Sequence, residues 1–387
     1  MKKINLLEKK LKNKNQTQLG IGPMSKNCVD AVIELADEIE HPLMLIASRR
    51  QIECNEHGGG YVNNWSTESF ADYVQKKDKK GFVILCRDHG GPWQNYQEVA
   101  GKLSLEDAME SAKKSFEADI KSGFEIIHID PSIDIHKTIT GKEVMERVYE
   151  LYEFCMNRAT AFDKTIRIEI GVEQQTGEIE DTLGFKEMLV KIKNFCRIKN
   201  FLPPLFVVAQ TGTLIKETEN IGNFKNYIEG TEKDLKKSKL INLLKTCFNS
   251  EIYLKEHNAD YLSDEALSWH PKIGIPAANI APEFGVSETL YILEICRKFN
   301  LKEEKEDFLS LAFESGKWKK WMKDKSQADD RQKAIIAGHY IFSKEEFKEI
   351  AERIRKKCSQ KNFDFDANLK KAIKKSITRI IRAFNLN

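Results

Sequence analysis

The sequence predicts a (β/α)8 TIM barrel over residues 1–300, followed by a helical C-terminal extension over 301–387. Three observations predict it. Short apolar runs alternate with longer amphipathic segments along most of the chain, the alternation supplies eight strand-helix units, and polar residues able to do chemistry stand at the C-terminal ends of the apolar runs. A doubly wound open sheet shares the alternation, but no GxGxxG follows the first strand.

The predicted strands are 19–23, 42–47, 82–87, 125–130, 165–170, 205–209, 251–255 and 272–280. Between them, apolar residues recur at three- and four-residue intervals over segments such as 29–40, 104–122, 141–159, 185–199 and 234–248, which reads as crossover helices. Segment 289–299 serves as the eighth barrel helix, and 304–324, 343–359 and 366–384 form the extension. Trp318, Trp321 and Met322 recur at helical spacing and read as packing residues.

Composition narrows the function classes. The net charge is +3 from 62 basic and 59 acidic residues, which leaves no nucleic-acid footprint. The Lys370-Lys371 and Lys374-Lys375 clusters repeat at helical spacing, as on a solvated face. Charge interrupts the first dozen residues and no apolar run approaches a membrane span, so neither a signal peptide nor a membrane segment is expected. The eight cysteines are scattered without a CxxC pair, as suits reduced thiols in a cytoplasmic protein.

In a parallel barrel, the C-terminal strand ends carry the chemistry. Here they present Arg49, Arg50 and Gln51 after strand two, Asp88 and His89 after strand three, His128 and Asp130 at strand four, and Glu169 and Glu173 at strand five. Gln210 follows strand six, His257 and Asp260 follow strand seven, and Asn279 closes strand eight. A barrel mouth needs polar groups merely to meet water. Imidazoles on separate strands with carboxylates and an amide on one axis are nevertheless a donor set for zinc or another divalent ion. His89 and His257 lead the metal candidates, followed by Glu169 and Gln210. Such an ion would stabilise negative charge developing on a ketose while a carboxylate moves the proton; Asp88 is assigned that role, with Glu173 and Asp130 next.

These residues also carry a resemblance. Gln51 with Gly58-Gly59-Gly60-Tyr61, Asp88-His89-Gly90-Gly91-Pro92-Trp93-Gln94, Gly123-Phe124 with His128-Ile129-Asp130, Glu256-His257-Asn258-Ala259-Asp260-Tyr261, and Gly274 with Ala281-Pro282 resemble the tagatose-bisphosphate aldolase subunit family called noncatalytic. That family is itself similar to zinc-dependent class II ketose-bisphosphate aldolases, and the resemblance runs nearly end to end. It implies that Asp88 transfers the proton, that His89 and His257 ligate zinc, that Glu169 lies at the metal and that Asn279 touches substrate. At strand six those enzymes place a zinc histidine where this chain has Gln210, a weaker ligand. At strand two the relatives resemble Glu-Ala-Thr-Ser-Asn-Gln, whereas this chain reads Ile46-Ala47-Ser48-Arg49-Arg50-Gln51, and it adds Arg87 before Asp88.

The expected activity is metal-assisted aldol cleavage or epimerisation of a phosphorylated or acidic ketose. Arg49, Arg50 and Arg87 are expected at a substrate anion, with only one of Arg49 and Arg50 entering the mouth. Gln51, His128, Asp260, Asn279 and Glu283 complete the substrate-binding set, and a phosphate is expected on the backbone N–H groups near Asn258 and the stretch from Ala281 to Gly285. The alternative is a noncatalytic partner of a separate aldolase subunit, and a homo-oligomer is equally compatible with the sequence. A sugar-phosphate kinase is disfavoured, because Gly58 to Gly60 is not followed by the Lys-Ser/Thr of a nucleotide-binding loop.

Overall fold

The computed structural model describes residues 3–171, 182–224 and 239–387. Eight parallel strands close into a barrel: β1 Gln18–Ile21, β2 Leu43–Ser48, β3 Val83–Gly90, β4 Ile126–Ile129, β5 Arg167–Ile170, β6 Phe206–Val208, β7 Tyr253–Glu256 and β8 Ala277–Ile280. Consecutive strands are neighbours and β1 pairs with β8, as in a TIM barrel.

Alternation along the strands sorts the side chains into two layers. Met44, Ile46, Ile84, Cys86, Ile126, Phe206 and Ala277 point into the barrel, where Ile4, Leu7 and Leu11 of the helix Lys3–Leu11 complete one cluster. Leu43, Leu45, Leu85, Ile127, Ile168, Leu254 and Ala278 belong instead to the larger core under the surrounding helices. Continuing the inward series by two residues gives Ser48, Asp88, His128 and Asn279, and His257 joins them two residues past the buried Lys255. The apolar floor and the polar mouth are therefore successive layers of the same inward faces.

The predicted strand 272–280 begins too early. Ser263 caps the helix Asp264–Ile273, its side chain accepting from Ala266 N, and Gly274 ends it at φ 82. The predicted helix 304–324 also breaks. Lys302–Glu314 stops before Gly316, at φ 64, and a 3-10 turn follows at Lys319–Trp321. The first residues of the predicted helix 234–248 lie outside the described residues, which resume in the helix Lys239–Asn249.

Helices Lys302–Glu314, Asp330–Ala337 and Glu345–Ser359 share a separate core around Phe308, Ile350, Ile354 and Cys358, packed on Ile292 and Ile295 of the helix Pro282–Lys298. The last helix, Phe365–Ala383, returns to the barrel, where Ile373, Ile377, Ile380 and Ile381 join the main core. Its Lys370 and Lys374 pair with Glu34 and Glu38 on the helix Lys26–Ile39. All eight cysteines are buried and unbridged. Among the described residues, no helix is long and apolar enough to cross a membrane.

Candidate active site

At the C-terminal end of the strands lies a cavity of about 400 Å³. Asp88 and His89 reach it together because β3 is irregular. Arg87 aligns with Ile127 but Gly90 with Ile129, so one extra residue bulges from β3, and His89 takes φ 43. A regular strand would turn neighbours to opposite faces; the bulge re-aims His89 into the mouth beside Asp88.

Three imidazoles surround the Asp88 carboxylate. His89 Nε2 is 3.8 Å from Oδ2, while His128 Nδ1 and His257 Nδ1 are 3.5 and 3.8 Å from Oδ1. The ring centroids of His89, His128 and His257 are 5.2–5.4 Å apart. Two of the rings are oriented by carboxylates. His89 Nδ1 lies 2.8 Å from Asp130, which also accepts from Gln94 and Ser132, and His257 Nε2 lies 3.0 Å from Glu169 and 3.1 Å from Asn279. His128 Nδ1 accepts the backbone N–H of His89.

Beneath this layer Lys255 donates to Glu169 at 2.7 Å, both side chains being 1% exposed. Burial would raise the Glu169 carboxyl, but the Lys255 ammonium and the imidazoles hold it at about 2. Burial would likewise raise Asp88; the imidazoles, His89 first, hold it well below the usual carboxylate range. His89, which burial would lower, is carried to about 9 by Asp88 and Asp130, although its side chain keeps 40% exposure and water screens part of that attraction. Desolvation lowers His257.

Glycines make room for these side chains. A Cβ on Gly171 would stand 2.5 Å from His128 Nε2, and one on Gly20 would stand 2.1 Å from Asn279 Oδ1.

The donor set fits a divalent ion. His89, His128 and His257 offer nitrogen atoms within 4.8 Å of one another, Asp88, His128, Glu169 and His257 form an overlapping group, and the buried Asp88 Oδ1 has no hydrogen-bond partner. The carboxylates on His89 and His257 fix the far nitrogen of each ring and leave the other facing Asp88, the arrangement that orients metal-binding imidazoles.

Asp88, His89, Asp130, His257, Asn279, Asp260, Arg50 and Gln51 line the cavity, with His128 and Glu169 buried at its floor. The expectation that Arg49 and Arg87 meet substrate is corrected. Arg49 is sealed between Glu53 and Glu98, and Arg87 donates outward from the barrel to Asp119, Thr67 and the Ala47 and Ile52 carbonyls. Of the Arg49-Arg50 pair, only Arg50 reaches the cavity. Glu283 is also withdrawn, accepting from Tyr261 N and pairing with Arg379. Gln210 stands half-buried past the end of β6. Glu173 lies outside the described residues.

Sequence reasoning missed Lys255, although its place two residues before His257 puts both on one strand face. It assigned His128 to the substrate, and the structure brings that ring within 5.2–5.4 Å of the other two imidazoles. Tyr61, Lys320, Trp321 and Tyr340 complete the cavity wall; Tyr61 ends the glycine stretch already singled out, Trp321 was read as packing only, and no local pattern announced Lys320 or Tyr340.

No family model matches the chain, and no curated protein matches it. Solved structures share its fold at low identity. A probable tagatose 6 phosphate kinase from Sinorhizobium meliloti 1021 is 16% identical with a TM-score of 0.73, over 95% of this chain and 100% of the other. A fructose-bisphosphate aldolase from Campylobacter jejuni is 13% identical with a TM-score of 0.54, over 100% of this chain and 94% of the other. At these identities the likeness establishes a shared barrel fold.

Proposed function

We propose that this chain carries out metal-assisted aldol cleavage, or the closely related epimerisation, of a phosphorylated ketose. One observation carries the reading: Asp88, with an unpartnered oxygen, sits between two carboxylate-oriented imidazoles on the floor of a polar cavity. The names of the fold neighbours, an aldolase and a tagatose phosphate kinase, agree with a sugar phosphate as substrate.

His89, His128 and His257 would hold the ion, for which an imidazole-rich set suits zinc. Bound there, a divalent ion supplies Lewis-acid stabilisation of negative charge developing on the substrate. Asp88 is ionised at neutral pH and takes the proton of the substrate hydroxyl as the adjacent C–C bond breaks. The electron pair passes to the carbon beside the carbonyl, and the proton is later returned to that carbon. Asp130 and Glu169 position His89 and His257, and Asn279 stands at the same His257 Nε2 that Glu169 meets.

Phosphoryl transfer from a nucleotide has no comparable support. Gly60 N donates to Trp65 O, and a Cβ on Gly60 would stand 2.0 Å from Gln51 O, so the glycine stretch packs on its own backbone. A noncatalytic partner role is favoured by one feature, Lys255, whose resident ammonium already neutralises Glu169.

The test is release of triose phosphate from tagatose and fructose 1,6-bisphosphates, with zinc and with chelator. Cleavage that needs metal and falls on the order of 10²- to 10⁴-fold in Asp88→Asn supports the reading. Zinc-loaded protein that cleaves neither substrate, but copurifies with an active aldolase subunit, would establish the partner role instead.

A further inference from the structure

The usual phosphate seat of a parallel barrel, the backbone N–H groups following its last two strands, is filled in this protein by its own carboxylate. Asp260 Oδ1 accepts from Ala281 N at 2.9 Å and Glu283 N at 2.8 Å, at the start of the helix Pro282–Lys298. Pro282 has no N–H to offer, and Phe284 N is bonded to Ala281 O. Asp260 is 1% exposed, and burial together with the neighbouring Glu283 raises its carboxyl to about 8. The sequence-based expectation of a phosphate at this helix start is therefore corrected: its first donors already have acceptors, and a carboxyl group stands where the anion would go.

The opposite wall has the reverse character. Arg50 and Lys320 both line the cavity, and among the described residues neither forms an ion pair with a carboxylate. Arg50 donates its Nε to Gln94 O and lies 4.8 Å over the Tyr96 ring. Lys317 covers the same ring at 4.3 Å, and Lys320 lies 4.4 Å over Trp321 and 5.5 Å over Tyr340. Lys317 and Lys320 follow the Gly316 break that ends the helix Lys302–Glu314 and turns the extension over the mouth. Three basic groups thus converge on aromatic rings with no carboxylate paired to them, and desolvation with the nearby charges of Arg50 and Lys317 lowers Lys320 to about 7, a strain that a bound anion would relieve. Elsewhere on this surface, lysines such as Lys333 and Lys348 have carboxylate partners.

We propose that the substrate phosphate is gripped by Arg50 from the barrel and Lys320 from the extension, with Lys317 adding charge, and that this clamp replaces the backbone seat which Asp260 closes. The proposal rests on the sugar-phosphate reading above and names where its anion sits. The C-terminal extension is then a specificity element: it selects a ketose phosphorylated at the end that projects from the mouth, away from Asp88.

Calorimetry with glycerol 3-phosphate, and with glycerol as the neutral control, tests it without reading turnover. Wild type should bind the phosphate and not glycerol. Lys320→Met and Arg50→Met should each weaken binding about tenfold, and the pair about a hundredfold, while Lys348→Met binds as wild type does. Unchanged urea midpoints would show that the losses are local, since Lys320 is exposed and Arg50 donates one hydrogen bond, to Gln94 O. Wild-type affinity in the double variant, or no binding to wild type, overturns the clamp. Failure of aldol cleavage with the clamp intact would instead sink the proposed reaction, so the two failures are distinguishable.

Discussion

Arg87 decides whether the outward face of β3 is structural or recognises substrate. All five guanidinium N–H groups have acceptors: Nε and Nη2 bond the two Asp119 oxygens at 2.7 and 2.5 Å, Nη2 also bonds Thr67, and Nη1 bonds the Ala47 and Ile52 carbonyls. Both side chains of the ion pair are wholly buried. Arg87→Met would leave the Asp119 carboxylate without its cation in that setting, a change that costs about 3–5 kcal/mol. At about 1.4 kcal/mol per decade, the folding equilibrium should fall by roughly two to three and a half decades. Urea unfolding at pH 7 measures this directly, and Arg87→Met/Asp119→Leu should recover more than half of the loss because no unpaired charge remains. Suppose instead that the single variant unfolds within about 1 kcal/mol of wild type while KM for a phosphorylated substrate rises tenfold. The guanidinium would then reach substrate, and the buried-network reasoning would be refuted.

Two further outcomes follow from the buried groups. His257→Ala should lower zinc content measured by elemental analysis after dialysis, whereas Gln210→Ala should leave it unchanged; equal losses would place the amide among the ligands. Glu288 is 3% exposed, and burial raises its carboxyl from its ordinary 4.5 to about 7, so between those values the folded state binds a proton that the unfolded chain has released. Stability should therefore decline as pH rises from about 4.5 through 7. Glu288→Gln, which keeps the oxygen that accepts from Asn27, should remove up to about 3 kcal/mol of that decline, and parallel pH profiles for variant and wild type would disprove the assignment.

The barrel was legible because each strand is an apolar run bounded by amphipathic helices, a pattern that local periodicity records. The strand ends were legible for the same reason, and Asp88, His89, Asp130 and His257 line the cavity from those positions. Arg87 was misplaced although strand alternation sets it opposite Asp88. The adjacent bulge obscures the point, since it allows Asp88 and His89 to face the mouth together while Arg87 stays outside. The helix Asp264–Ile273 was partly read as strand, because Lys272 to Ile280 spans both the end of one element and the start of the next. Lys320 and Tyr340 were beyond reach: their approach to the mouth depends on how the extension folds back across the barrel.

Charge balance links the floor of the cavity to its proposed ion. Asp88, Asp130 and Glu169 are three buried carboxylates, and among the described residues the ammonium resident at the floor, Lys255, is engaged with Glu169. Burying anions without compensation is costly, so the other two draw positive charge from the imidazoles. The elevation of His89 to about 9 is that demand expressed as a proton. A divalent ion coordinated by the same nitrogens answers the same demand, and ligation requires the ring in its neutral form. On the proposed reading the site would exchange protons for a cation, with Asp130 and Glu169 holding the rings in place in either state. Lys255 sets the limit on this exchange. Its ammonium remains at Glu169, so that carboxylate serves chiefly to orient His257, and the proposed ion would be left to the three imidazoles, with Asp88 free to move the proton.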